Sequence, residues 1–143
     1  MYQGLMVTTL AAPTTCRYTP FANGIHEFVF TVPSRQALAG WFDYLDTIYH
    51  ATPTGATIPL LIDLRQSGLL PMTHISDNVR DWLQAHPSRH SAHIAVLHSH
   101  SFPVALAQTF LRRYHTRTDP AVRFFSERER DEAVMWLTER DYA

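Results

Sequence analysis

Residues 58–64, Ile-Pro-Leu-Leu-Ile-Asp-Leu, form a nearly unbroken apolar run in which Asp63 is the one charged position. A strand with one wet face alternates apolar and polar residues, so a run without alternation belongs to a strand buried on both faces, with a packed layer on each side. Residues 93–98 repeat the pattern through Ile94, Ala95, Val96 and Leu97. Two such strands in one short chain imply a sheet whose covering layers are supplied by the segments between them.

Those segments read as helices. After Pro33 and Ser34, the residues Leu38, Trp41, Phe42, Leu45, Ile48 and Tyr49 recur at spacings of three and four, and Pro53 and Gly55 then break the pattern. A second helix carries Ile75, Val79, Trp82 and Leu83, with Thr73 or Ser76 as its cap and Pro87 at its end. A third spans about residues 102–114, with Val104, Ala107, Leu111 and Tyr114 on one stripe and Leu106 and Phe110 widening it, before the Asp119-Pro120 break. Residues 122–125 form a short last strand, and Ser126-Glu127-Arg128-Glu129 has capping-box spacing, opening a helix that buries Ala133, Trp136 and Leu137. Ahead of these, residues 17–21 and 25–32 are aromatic and β-branched runs separated by Ala22-Asn23-Gly24, the signature of a hairpin in which Asn and Gly both take positive φ. The expected fold is α/β: a mixed, mostly parallel sheet of about five strands with an N-terminal antiparallel hairpin and four helices packed on it. It fills residues 1–143 as a single domain, residues 1–14 being a loosely held arm or an extra strand.

Composition narrows the chemistry. Twelve basic side chains face thirteen acidic ones, so no global field draws nucleic acid or an anionic membrane. Every basic residue is arginine, which removes Schiff-base chemistry and a P-loop lysine. The arginines from Arg112 to Arg140 are matched by Asp119, Glu127, Glu129, Asp131, Glu132, Glu139 and Asp141, a mixed-charge solvated face. Cys16 stands alone, so no intramolecular disulfide forms and a reducing cytoplasm is the expected setting. The apolar stretch 5–12 has no preceding Lys or Arg and is interrupted by Thr8 and Thr9, so neither a signal peptide nor an integral membrane segment is expected.

The order of pieces resembles a known family. Leu60-Leu61-Ile62-Asp63, then Ile94-Ala95-Val96-Leu97, then Val122-Arg123-Phe124-Phe125 followed by Glu132-Ala133-Val134-Met135-Trp136-Leu137 together resemble the STAS-like, SpoIIAA-like bacterial domains, over roughly residues 17–137. The resemblance implies a non-enzymatic regulatory module, related to anti-sigma-factor antagonists, that binds a protein partner, a nucleotide or a small apolar ligand. It also implies phosphorylation of a serine after the central strand, in an Asp-Ser-Ser-Gly-Leu-like segment. Here Gln66-Ser67-Gly68-Leu69 matches in part, with glutamine in place of the acidic residue, and Ser67 is the corresponding position.

In an open parallel sheet, ligands bind outside the carboxyl ends of the strands. That rule selects one loop holding Asp63, Arg65, Gln66 and Ser67 and another holding His98, Ser99, His100 and Ser101. The candidate ligand-binding residues are Asp63, Arg65, Ser67, His98 and His100, a set suited to an anion or a polar head group. Taken singly, Asp63 and Ser101 read as caps of turns and helices. His98 and His100, two positions apart at a strand end, point to one side and offer two metal ligands, one fewer than a catalytic zinc site requires. No G-x-S-x-G, G-x-G-x-x-G, G-x-x-x-x-G-K or H-E-x-x-H occurs, so no catalytic residue, resident metal or cofactor is assigned. The expected function is partner binding by a homodimer or hetero-complex; the rivals are a small-molecule or lipid carrier and a metal-assisted hydrolase using His98 and His100.

Overall fold

The computed structural model describes residues 16–21, 23–53, 55–70, 72–86, 91–111 and 121–139. The elements run β1 (Cys16–Pro20), β2 (His26–Phe30), α1 (Arg35–Ala51), β3 (Ile58–Asp63), α2 (Met72–Ala85), β4 (Ala92–His98), α3 (Val104–Leu111), β5 (Ala121–Ser126) and α4 (Arg130–Glu139). The strands lie in chain order, β1-β2-β3-β4-β5; the first pair is antiparallel and the other three pairs are parallel. This is the mixed, mostly parallel five-stranded sheet with an N-terminal hairpin and four helices that the alternation of patterns predicts. The N-terminal arm, the Pro87 and Asp119-Pro120 breaks, Tyr114 and the side chains of Thr73, Ile75, Ser76, Val79, Leu83, Phe110 and Leu111 lie outside the description.

β3 is buried along its whole length, as its unbroken apolar run requires. Its alternate side chains enter two separate cores. Ile58, Leu60 and Ile62 join Phe28, Phe30, Leu38, Leu45, Ile48, Val96, Phe102 and Ala107, with Trp41, Trp82 and Val104 packed against them, so α1, α2 and α3 cover one face. Leu61 joins Ala95, Leu97, Phe125, Ala133 and Leu137 on the other face, under α4. Parallel crossovers of one hand place the three connecting helices together. α4 takes the opposite side, over Leu61, Ala95 and Leu97.

The local chemistry of α1 follows its sequence. Ser34 Oγ accepts from the Ala37 N–H at 3.1 Å as an N-cap, and Thr52 Oγ1 donates to the Ile48 carbonyl at 2.6 Å at the other end. A polar clamp ties α1 to α2: Trp82 Nε1 donates to Asp46 Oδ1 at 3.0 Å, His86 Nε2 lies 3.0 Å from the same oxygen, and the His86 ring stacks on the indole at 4.1 Å.

One turn conformation and two boundaries differ from expectation. The β1–β2 connection has the three residues that the spacing of the two runs requires, with Phe21 N–H donating to the Ile25 carbonyl at 2.9 Å and Gly24 N–H to the Phe21 carbonyl at 3.0 Å, but Asn23 does not take the positive φ expected of it. Such a loop needs one left-handed residue at its end. Gly24 takes it at φ +88, no non-glycine residue among those described has positive φ, and the Asn23 side chain accepts from the Ile25 N–H instead. β2 spans His26–Phe30 rather than continuing to residue 32, and Val32 is exposed. The last helix starts at Arg130, not at the capping box. Ser126 is the final residue of β5, and Glu129 Oε1 accepts from its N–H at 2.7 Å to close a turn that precedes the helix.

Candidate functional site

The carboxyl edge of the sheet is built from β3, β4 and β5: Asp63, the last residue of β3, is in register with Leu97 and Phe125, and β4 and β5 run one residue further, to His98 and Ser126. Asp63 sits at an odd position of β3 and therefore points to the α4 face, where it is almost wholly buried. A buried carboxylate needs partners, and Arg65 supplies three bonds to it. Its backbone N–H and Nε donate to Oδ1 at 2.9 and 3.0 Å, and Nη2 donates to Oδ2 at 2.7 Å. The fork geometry of the guanidinium matches the carboxylate. These hydrogen bonds push the Arg65 guanidinium above its ordinary pKa against the opposing effect of burial, and the charges of Asp63, Glu27 and Glu127 add to the shift.

Arg65 reaches further. Its Nη1 donates to the Glu127 carbonyl at 3.2 Å, which joins the loop after β3 to the turn after β5. Glu127 in turn engages the loop after β4: Oε1 accepts from the His100 N–H at 3.0 Å and lies 3.4 Å from the His100 Nδ1. The hydrogen bond from the His100 backbone holds the Glu127 carboxyl below the usual carboxylate range, followed in effect by the His100 side chain. Asp63, Arg65 and His100 therefore do meet, with Glu127 as the link.

Ser67 and His98 do not join them. The Ser67 hydroxyl donates to the Gly68 carbonyl at 3.0 Å within its own turn, where Gly68 takes φ +73 and donates to the Leu64 carbonyl. His98 is an even position of β4, so it faces the three-helix side, opposite to Asp63. There its ring stacks on Phe102 at 5.3 Å and its Nδ1 contacts the Ser99 carbonyl. The expectation that His98 and His100 share a side assumed that the strand continues. It ends at His98, His100 lies in the following turn with a side chain 91% exposed, and the period of two no longer applies. Among the described residues, no three His, Cys, Asp or Glu side chains are grouped to hold a metal ion.

A second ion pair lies on the α4 face. Glu27, the second residue of β2, is buried and accepts from Arg130 Nη2 at 3.2 Å, and the Arg130 guanidinium rests over the Phe21 ring at 5.5 Å. This pair fixes the start of α4 against the hairpin. The reading of the sequence missed Glu27, Arg130 and Glu127. An acid between His26 and Phe28 in an aromatic strand was a usable signal for Glu27, since its face is opposite to that of Phe28 and Phe30. Arg130 and Glu127 belong to a mixed-charge segment in which nothing distinguishes them.

The topology also moves the place where the edge opens. A crevice forms where adjacent loops leave toward opposite faces. The loops after β3 and β4 both lead to the three-helix face, whereas the turn after β5 leads to α4 on the other. The parting therefore lies between β4 and β5, one strand beyond the expected pair, and Glu127 spans it. Comparisons with family models, with curated proteins and with solved structures found no match for this chain.

Proposed function

We propose that this chain is a non-enzymatic regulatory module of the STAS-like type that binds a protein partner through the carboxyl edge of its sheet, around the turn at residues 64–70 and α2 beside it. The observation that carries the reading is the mutual satisfaction of the polar groups at that edge. Asp63 is held by three bonds from Arg65, Glu127 by the His100 N–H, and the Ser67 hydroxyl by its own turn. A general base or nucleophile has to be free to take or give up a proton. Asp63, Arg65 and Ser67, held in an ion pair and a turn, instead form a fixed polar relief, which suits recognition. The mixed sheet with its antiparallel first hairpin has the shape that the family resemblance implies, and this supports the STAS-like reading.

Site-specific photo-crosslinking tests it. A photoreactive residue at Gln66, on the carboxyl edge, is compared in cells of the native host with the same residue at Thr57, which precedes β3 at the opposite edge. The proposal expects one discrete adduct from position 66 and none from position 57. Equal labelling from both positions, or none from either, contradicts it.

A further inference from the structure

We infer that the parting of the loops after β4 and β5 is an oxyanion seat, occupied in the free protein by the chain's own Glu127 carboxylate and taken over on binding by a carboxylate or phosphate of the partner. The inference rests on the proposed docking edge and names the chemistry that this edge recognises. Three observations converge on it. The loops after β4 and β5 part toward opposite faces, and this is the place in a parallel sheet where a ligand can approach backbone groups at the strand ends. An oxyanion already sits there: Glu127 Oε1 on the His100 N–H at 3.0 Å and beside the His100 ring at 3.4 Å. The surroundings favour a negative charge, with Arg65 Nη1 on the Glu127 carbonyl at 3.2 Å and the Arg128 charge adding to the depression of the Glu127 pKa.

The seat is also accessible, which separates it from the structural pairs nearby. Asp63 and Glu27 are buried under arginines, but the Glu127 side chain is 44% exposed and that of His100 is 91% exposed. Glu127 can swing out at little cost in packing while its backbone carbonyl stays on Arg65. The vacated His100 N–H then donates to an external oxyanion, and the Arg128 charge that favours the Glu127 carboxylate favours it in the same way. Glu127 thus acts as a tethered competitor, and the apparent affinity for an external anion is reduced by the fraction of time that the seat is closed.

The test is an amide NMR titration of the full chain with inorganic phosphate, and in parallel with acetate, against chloride at matched ionic strength. In the wild type the His100 amide is expected to show the largest shift, with weak affinity. In Glu127→Ala the same amide responds with about tenfold tighter binding, as removal of a competitor present about nine-tenths of the time requires. Glu127→Gln, which keeps the shape and loses the charge, falls between the two and serves if the alanine variant does not fold. The arm with the tighter response tells a phosphate from a carboxylate. A His100 amide that does not move, or an affinity unchanged in both Glu127 variants, overturns the inference. Crosslinking from position 66 would be untouched by that result, so a failure here is distinguishable from failure of the docking edge itself.

Discussion

Replacing either member of the Asp63–Arg65 pair removes the same ion pair but leaves behind very different groups. In Arg65→Ala the stranded group is a carboxylate whose side chain is 6% exposed, and of its three bonds only the one from the backbone N–H at residue 65 survives. Breaking a buried pair in this way costs about 3–5 kcal/mol. The surviving bond places the cost at the lower end, near 3 kcal/mol. In Asp63→Ala the stranded group is a guanidinium whose side chain is 34% exposed and keeps the Glu127 carbonyl, so it turns to water and the cost is about 1–2 kcal/mol. Urea unfolding followed by tryptophan fluorescence measures both, with the slope checked for constancy so that midpoints report stability. Arg65→Ala is expected to be the more damaging by at least about 1 kcal/mol, and the double variant to cost less than the sum of the singles. An Asp63→Ala variant as destabilised as Arg65→Ala would refute the reasoning that burial of the carboxylate sets the energetics of this edge.

Three further expectations follow from the same structure. Glu127 is held below its ordinary pKa by His100, so its contribution to stability is complete above about pH 4.5 and is lost as the pH falls through the lowered value; thermal melts between about pH 3 and pH 6 should fall less steeply for Glu127→Gln than for the wild type, and identical slopes would contradict the contact. Burial pushes the Cys16 thiol from 9.0 up to about 12, which disfavours the thiolate; at about pH 8 the native protein should react with a disulfide reagent about a thousandfold more slowly than the urea-unfolded chain, and stability should decline as the pH rises above about 9, because only the unfolded thiol ionises there. Leu61, fully buried under α4, should cost about 2–5 kcal/mol as Leu61→Ala, whereas Met135, 58% exposed on the same helix, should change stability by less than about 0.5 kcal/mol as Met135→Gln; urea midpoints that fail to separate the two would contradict the placement of α4 on that face.

The elements were legible where a single physical pressure dominates. β3 and β4 declared themselves because two-sided burial removes alternation, and α1 because Leu38, Leu45 and Ile48 need one face. The site was legible only in its covalent neighbours. Asp63 and Arg65 are two residues apart, and their pairing is local. Their link to His100 runs through Glu127, which lies 62 residues from Arg65 and 27 from His100 and whose role depends on the face that α4 takes. No periodicity in the final segment encodes that choice. Gly24 shows the same limit on a smaller scale: Asn-Gly signals a turn, but the register of the two strands decides that Gly24 takes positive φ and Asn23 does not.

The binding edge itself is tested most directly by native mass spectrometry of the chain isolated from its own cells under non-denaturing conditions, wild type beside Glu127→Arg. The account predicts that the wild type carries a second protein at fixed stoichiometry and that Glu127→Arg, folded but altered at the edge between β4 and β5, shifts the ratio of complex to free chain. A wild type that flies as a bare chain or with a small-molecule adduct alone would contradict it; a complex indifferent to the charge at position 127 would overturn the oxyanion seat and leave the edge standing.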